Sequence, residues 1–279
     1  MICCSMYEDP LFMAGCFPPY ISDITIDSSK KKLSADMYIA SGSKPHPLIV
    51  IPKGFPDAVE SLDLPLILRR DARSYLVFNC RGTGESEGSF SFQNAIDDVK
   101  AVLKFVKSDN VVNMYNIDIN NIILLGHGMG GFAALMAAAA ESGVRACIAI
   151  APFDFGIMGG RAMIDIEALK PMKKMFEVLA SSLKGATADD LMIEVMSNSD
   201  RWKFIDNARS LANQNLMIVG GSRDIFALPE LHYQPLVNRL LTYKPRSFRH
   251  LLLDSDHSFM DQRMLLSQLL DEWLEEQLQ

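Results

Sequence analysis

Six short apolar segments of strand length alternate with amphipathic stretches along most of the chain. Their residues are Ile, Val, Leu or Phe at many positions, which is typical of strands buried on both faces; the segments are 47–51, 75–80, 121–125, 146–151, 216–219 and 250–253. Apolar residues at three- and four-residue intervals predict helices over 58–70, 92–107, 130–142, 230–241 and 261–278. This alternation predicts an α/β fold, with a mostly parallel sheet flanked by helices.

Two further strands are predicted upstream of the first buried segment. Residues 24–26 and 33–39 alternate apolar and polar side chains, and residues 28–32 between them form a turn. This pattern indicates an antiparallel hairpin with one solvated face. With the hairpin at one edge, the sheet has eight strands.

The stretch 152–213 contains no clear strand and has a helical pattern. It is too long to be a plain connection between two strands. We expect it to form a helical cap over the carboxyl edge of the sheet, so that 1–151 and 214–279 form the core. The stretch holds six methionines that could line an adaptable apolar pocket or simply pack: Met158, Met163, Met172, Met175, Met192 and Met196.

Composition narrows the class of protein. Hydrophobic residues make up 49% of the chain, so it can form a large core and is not a disordered chain. The net charge of −7, without a basic run to offset it, argues against a nucleic-acid partner.

Other features favour a cytoplasmic protein without a membrane span. The longest apolar run, 132–140, has about half of the ~20 residues that a bilayer-spanning helix needs. The five cysteines are widely spaced and include no C-x-x-C pair, which argues against disulfides and a zinc site. We expect Cys80 and Cys147, in apolar strands, to be small core residues. The histidines show no metal-ligand spacing, and we predict no metal and no cofactor.

The most informative local motif follows the strand at 121–125. The sequence Gly-His-Gly-Met-Gly-Gly at 126–131 then leads into a helix. One interpretation is the nucleophile elbow G-x-S-x-G, with Gly128 in place of the serine. The other is the dinucleotide fingerprint G-x-G-x-x-G, with Asp154 as the acid at the end of the next strand.

Three other motifs favour the elbow. Residues 50–55 form a strand end and a glycine turn, and Arg-Gly-Thr-Gly-Glu-Ser-Glu-Gly at 81–88 follows the strand at 75–80. Asp224 follows the next-to-last strand and His257 follows the last, which is the chain order of acid and histidine in α/β-hydrolases. From residue 20 to residue 279 the chain therefore resembles the α/β-hydrolase superfamily, most closely its capped esterases, monoacylglycerol-lipase-like enzymes and serine-peptidase relatives.

The resemblance implies an esterase-like hydrolase site for a small-molecule acyl substrate. In it, His257 is the general base and Asp224 orients its other ring nitrogen. The backbone N–H groups of Phe55 and Met129 form the oxyanion hole. Gly128 occupies the nucleophile position and has no hydroxyl, although glycine suits the strained backbone there.

Several alternatives stay open from the sequence alone. Asp254 or Asp256 could orient His257 in place of Asp224, and Lys53 replaces the usual histidine of the oxyanion turn. Ser86, Ser222, Ser255 and Ser258 lie near these motifs, but none is on an elbow. We expect His127 to be structural and Arg81 and Glu85 to organise their loop.

The missing serine permits four hypotheses about function. The glycine could be an engineered change in a serine hydrolase. It could be natural in a non-catalytic relative that binds a ligand. It could be natural in an enzyme where His257 activates water or acts as the base of a lyase or isomerase. Last, residues 126–131 could bind a dinucleotide.

Overall fold

The computed structural model describes residues 18–53, 73–141, 143–245 and 247–279. Eight strands form one sheet: β1 (Tyr20–Ser28), β2 (Lys31–Ile39), β3 (His46–Pro52), β4 (Ser74–Phe78), β5 (Ile117–His127), β6 (Ala146–Ile150), β7 (Leu216–Gly221) and β8 (Phe248–Leu253). Strands β3, β4, β6 and β7 and residues 122–127 of β5 are almost wholly buried, as their continuous apolar runs predicted. The prediction is wrong for β8, because it is the edge strand and its side chains are half-buried or exposed.

The strand order is β1-β2-β4-β3-β5-β6-β7-β8. Strand β2 pairs antiparallel with both β1 and β4, and every other neighbouring pair is parallel. The predicted edge hairpin and the eight-stranded, mostly parallel sheet are therefore confirmed. Because β5, β7 and β8 run parallel, the loops after them meet at the same edge of the sheet.

Among the described residues, the helices outside the β6–β7 connection are α1 (Phe92–Val106), α2 (Asp109–Tyr115), α3 (Met129–Ala140), α9 (Pro229–His232), α10 (Gln234–Tyr243) and α11 (Arg263–Leu278), which a 3₁₀ turn precedes (Met260–Gln262). Five helices lie between β6 and β7: α4 (Phe155–Ile164), α5 (Ile166–Ala180), α6 (Ala188–Ser197), α7 (Ser199–Trp202) and α8 (Phe204–Leu211). This stretch is helical and without a strand, as predicted.

One predicted helix differs from these bounds, and one observed helix was not predicted. The helix expected over 230–241 is split in two at Tyr233, because Pro235 lacks an N–H donor and is tolerated only in the first turn of a helix. The short α2 was missed altogether. The helix expected over 58–70 lies outside the described residues.

The helices between β6 and β7 are joined to the rest of the protein in two ways. A cluster of aromatic rings crosses the boundary, with the Phe92 ring 4.0 Å from Phe155, 5.7 Å from Phe176 and 6.2 Å from Trp202. The Glu194 carboxylate of α6 also accepts the backbone N–H groups of Phe92 and Gln93, both at 2.9 Å. Because these N–H groups lack partners within α1, Glu194 of the β6–β7 connection caps the N-terminus of α1.

Most of the six methionines of residues 152–213 pack in or against the hydrophobic core. Met172 and Met192 are buried in the core, Met158, Met175 and Met196 are partly buried against it, and Met163 is exposed. Cys80 and Cys147 are buried free thiols, as expected for core residues.

Candidate active site

A sharp turn joins β5 to α3. Its central residue, Gly128, has φ +54° and ψ −117°, a conformation that strains any residue with a Cβ. Two positions earlier, a Cβ on Gly126 would lie 2.2 Å from the carbonyl oxygen of Gly130. The strand end and the helix start therefore approach too closely for a side chain at 126. The structure therefore has a tight strand-to-helix turn with glycine at its apex, and the elbow interpretation of that turn stays a prediction.

Asp224 and His257 meet above this turn, although 33 residues separate them in the sequence. The Asp224 Oδ2 atom lies 2.6 Å from Nδ1 of His257. The Asp224 side chain is fully buried, and its Oδ1 accepts the backbone N–H groups of Phe226 and Ala227, both at 2.8 Å. The carboxylate is thus held by three donors.

These donors decide the charge of the carboxyl group. Burial alone raises the pKa of Asp224, but the hydrogen bond and charge of His257, with the N–H groups of Ala227 and Phe226, outweigh it. The net result is a pKa below the usual value of an aspartic acid. Asp224 is therefore ionised at neutral pH and orients the imidazole with Nδ1–H toward it.

The other two acids near His257 have different partners. Asp254 binds the guanidinium of Arg223, with Nε to Oδ1 at 2.8 Å. Asp256 accepts the N–H and the hydroxyl of Ser258. Among the three acids weighed from the sequence, the structure brings Asp224 to the ring of His257.

The second ring nitrogen of His257 faces the turn at Gly128. An ideal Cβ built on Gly128 would lie 3.2 Å from Nε2 of His257 and 3.7 Å from Cε1. The Phe226 ring, 58% exposed, lies 5.8 Å from the imidazole, and the Phe153 ring lies 6.4 Å from it. Position 128, the imidazole of His257 and two aromatic side chains therefore lie close together.

His127 contacts both the backbone and the ring of His257. Its Nε2 donates a hydrogen bond to the backbone carbonyl of His257 at 2.7 Å, and the two rings are 4.6 Å apart. Burial, reinforced by the charge of His257, lowers the pKa of His127 to about 3. His127 is thus neutral, with its proton on Nε2, and its contacts fit the structural role expected of it.

One of the two predicted oxyanion donors lies within the described residues, and its role stays a prediction. The N–H of Met129 is the first of α3, where backbone donors have no partner inside the helix. Phe55 lies outside the described residues. Lys53 is described, and its N–H donates to the carbonyl of Phe78 at 2.9 Å.

Asp154 and His232 form a second buried pair next to the site, and this pair was not predicted from the sequence. The N–H of Asp154 donates to Nδ1 of His232 at 2.9 Å. The Asp154 carboxylate accepts the N–H groups of Ile157 and Phe204, both at 2.9 Å, and so begins two helices. An aspartate just before a helical stretch is a recognisable N-cap signal; its partner Phe204, fifty residues away, has no signal in the sequence.

Burial perturbs both members of this pair. It raises the pKa of Asp154 to about 7, against the hydrogen bonds from Ile157, Phe204 and Gly156. It lowers the pKa of His232 to about 4. With both oxygens of Asp154 engaged by helix N-termini, this acid acts as a cap, and the fingerprint interpretation loses its free carboxylate.

Arg81 organises the loop after β4, as predicted. Its Nε and backbone N–H donate to the two oxygens of Asp98, both at 2.7 Å, and Ser28 Oγ donates to the same carboxylate at 2.6 Å. Glu85 is exposed; the neighbouring Glu87 instead accepts the N–H of Lys32 at 3.0 Å.

Within the described ranges, no three or more His, Cys, Asp and Glu side chains are grouped so as to hold a metal ion. None of the helices in the part of the chain that the structure describes has the length and hydropathy that crossing a membrane requires.

Comparisons with solved structures find proteins of the same fold. The esterase Pf2001 of Pyrococcus furiosus superposes with a TM-score of 0.68 at 20% identity, over 92% of this chain and 91% of that chain. The α/β hydrolase GrgF from Penicillium sp. sh18 gives 0.67 at 18% identity, over 92% and 99%. Est1E from Butyrivibrio proteoclasticus gives 0.65 at 16% identity, over 92% and 98%.

A search of curated proteins gives no match to the sequence. A family model described as "Alpha/beta hydrolase family" matches residues 48–274, which is most of the chain. Strands β4 to β8, the turn at Gly128 and the carboxyl-edge placement of Asp224 and His257 lie within that range, whereas β1 and β2 precede it. The chain therefore belongs to the α/β hydrolase family.

Proposed function

We propose that this protein hydrolyses an ester, thioester or amide bond of a small apolar acyl substrate, with His257 activating water directly. The observation that carries the proposal is the 2.6 Å contact between Asp224 and Nδ1 of His257. A buried, ionised acid on Nδ1 leaves Nε2 as the basic nitrogen, which is the arrangement of a general base.

The position of Gly128 explains why water would be the nucleophile. No hydroxyl is available at the turn, so an acyl-enzyme cannot form there. Nε2 of His257 lies 3.2 Å from the place where a Cβ on Gly128 would be. A water molecule hydrogen-bonded to Nε2 would fill space that a serine side chain otherwise takes.

The proposed reaction then has two steps. Nε2 of His257 takes a proton from water while the water oxygen forms a bond to the carbonyl carbon, and the carbonyl oxygen becomes an oxyanion. The N–H of Met129, at the N-terminus of α3, supports that negative charge; Phe55 is the second donor that the family resemblance implies. When the intermediate collapses, the bond to the leaving group breaks and His257 returns the proton to it.

Two features support a small apolar substrate. Phe226 is 58% exposed with its ring 5.8 Å from the imidazole, and the Phe153 ring lies 6.4 Å from the imidazole. We also propose that residues 152–213 act as a cap over the site, with 1–151 and 214–279 as the core. Faster turnover of charged than of aliphatic acyl groups would contradict the apolar assignment.

The test is hydrolysis of p-nitrophenyl acetate and butyrate by the wild type, His257→Ala and His250→Ala. His250 is an exposed imidazole on β8, so its variant controls for nonspecific ester cleavage. We expect turnover that is lost in His257→Ala, retained in His250→Ala and unaffected by a serine-directed fluorophosphonate. Turnover that His257→Ala leaves unchanged would refute the proposal.

A second candidate is a non-catalytic protein that binds an acyl ligand, which the absent hydroxyl of Gly128 favours. Ligand-dependent thermal stabilisation without any product would support it. If instead a proton-abstraction product forms, with no hydrolysis, His257 serves as the base of a lyase or isomerase. A thermal shift with NAD or FAD would revive the dinucleotide interpretation of residues 126–131.

A further inference from the structure

Arg223 immediately precedes Asp224 and binds the segment that carries His257. Its Nε donates to Oδ1 of Asp254 at 2.8 Å, and its Nη2 donates to the backbone carbonyl of Asp254 at 3.0 Å. These bonds hold the start of the segment, just after β8. The backbone N–H of Arg223 adds a third bond, to the carbonyl of Ser255 at 3.0 Å.

The same guanidinium also binds the far end of the segment. Nη2 of Arg223 donates to Oδ2 of Asp261, whose Oδ1 accepts the hydroxyl of Ser255. Hydrogen bonds from Ser255 and Arg223 lower the pKa of Asp261, so the ion pair persists at neutral pH. One side chain therefore joins both ends of the segment 254–261, with His257 between them.

We propose that Arg223 is a positioning residue that keeps His257 at Asp224 and over Gly128. The proposal rests on the proposed function of His257. Arg223 shares a peptide bond with the acid and contacts both ends of the histidine segment, so it couples the two loops that must meet. A planar guanidinium suits this role because its fork reaches two acceptors in fixed directions.

The exposure of these contacts distinguishes a role of Arg223 in positioning His257 from a contribution to the stability of the whole fold. The Arg223 side chain is 53% exposed, and its partner Asp254 is 82% exposed. Ion pairs this exposed contribute little to global stability. Loss of Arg223 should therefore leave the fold intact while His257 gains freedom, and small displacements of a catalytic group are costly to the rate.

The first test compares Arg223→Ala, Arg223→Lys and Arg249→Ala, using p-nitrophenyl butyrate. Arg249 is the matched control, because it forms a partly exposed ion pair with Glu276 at 2.7 Å and does not contact the histidine segment. For Arg223→Ala we expect kcat to fall about tenfold, with KM within about twofold. Arg223→Lys should recover part of kcat, and Arg249→Ala should match the wild type.

The second test needs no turnover and so separates this proposal from the proposed function. The Nδ1–H proton of His257, held against Asp224, gives a downfield NMR resonance when its exchange with water is slow. We expect this resonance in the wild type and in Arg249→Ala, and its broadening in Arg223→Ala. If the wild type hydrolyses no ester but the resonance behaves in this way, the proposed function fails and the positioning role stands.

An unchanged resonance in folded Arg223→Ala would overturn the proposal, as would an equal effect of Arg249→Ala. If Arg223→Ala does not fold, the same resonance is measured in Arg223→Lys and in the wild type at increasing salt concentration. Since salt screens exposed pairs, high NaCl should broaden the wild-type resonance. Insensitivity of that resonance to both the lysine variant and salt would refute the role of Arg223.

Discussion

The variant Gly128→Ser tests whether the site is complete except for its nucleophile. A serine Cβ would lie 3.2 Å from Nε2 of His257, which is a tight contact. The His257 side chain is 21% exposed, so it has room to yield by a few tenths of an ångström. A staggered rotamer can then place the new hydroxyl within hydrogen-bonding distance of Nε2.

The variant should also be less stable, by an amount that the backbone sets. Position 128 has φ +54° and ψ −117°, and a residue with a Cβ in such a strained conformation costs about 1 to 3 kcal/mol. For a chain of this size, such a loss lowers Tm by about 2 to 12 °C. Gly128→Ala is the matched control, because it has the same strain but no hydroxyl.

The assay combines covalent labelling with kinetics. We expect a fluorophosphonate to modify position 128 of Gly128→Ser stoichiometrically, with no label on the wild type or on Gly128→Ala. The hydrolysis of p-nitrophenyl acetate should show an acyl-enzyme burst. Its kcat/KM should exceed the wild-type value by at least about 100-fold, since a covalent route replaces water activation.

One result would refute this reasoning directly. If Gly128→Ser has the same Tm as Gly128→Ala but is neither labelled nor active, then His257 and the turn do not form hydrolase machinery. The ligand-binding role would then be the better explanation of the site.

Three further predictions concern the groups around this turn. Asp224→Asn should lower kcat for p-nitrophenyl butyrate by about 10²- to 10⁴-fold, with KM nearly unchanged, because His257 loses the anion that orients it. Asp154→Ala should lower the free energy of unfolding in urea by about 3 kcal/mol, since it leaves two buried helix N–H groups without acceptors; Asp165→Ala, which removes an exposed N-cap, should cost clearly less. His127 has a folded pKa of about 3 against an ordinary 6.5, so only the unfolded chain binds its proton in that window, and stability falls as the pH drops below about 6.5. The fall should be steeper than in His127→Gln by about 1 kcal/mol per pH unit, and equal slopes would contradict the assignment.

Much of the fold could be predicted because local patterns encode local elements. Continuous apolar runs marked β3 to β8, and alternation marked the hairpin of β1 and β2. The boundary errors have local causes as well, since Pro235 ends one helical stretch and begins the next. The methionines of 152–213 show the limit of such patterns, because apolar residues that line a pocket and those that pack have the same periodicity.

The sequence by itself determined the α/β class, the glycine turn at 126–131 and the order of turn, acid and histidine. Each of these features depends either on residues that are neighbours in the chain or on the alternation of strand and helix along it. Only the tertiary structure decided that Asp224 faces His257 while Asp254 binds Arg223. It also decided that β4 lies between β2 and β3, and that burial keeps His127 neutral. These outcomes depend on which distant residues share one edge of the sheet and on how much water reaches them, and local residue patterns do not encode either property.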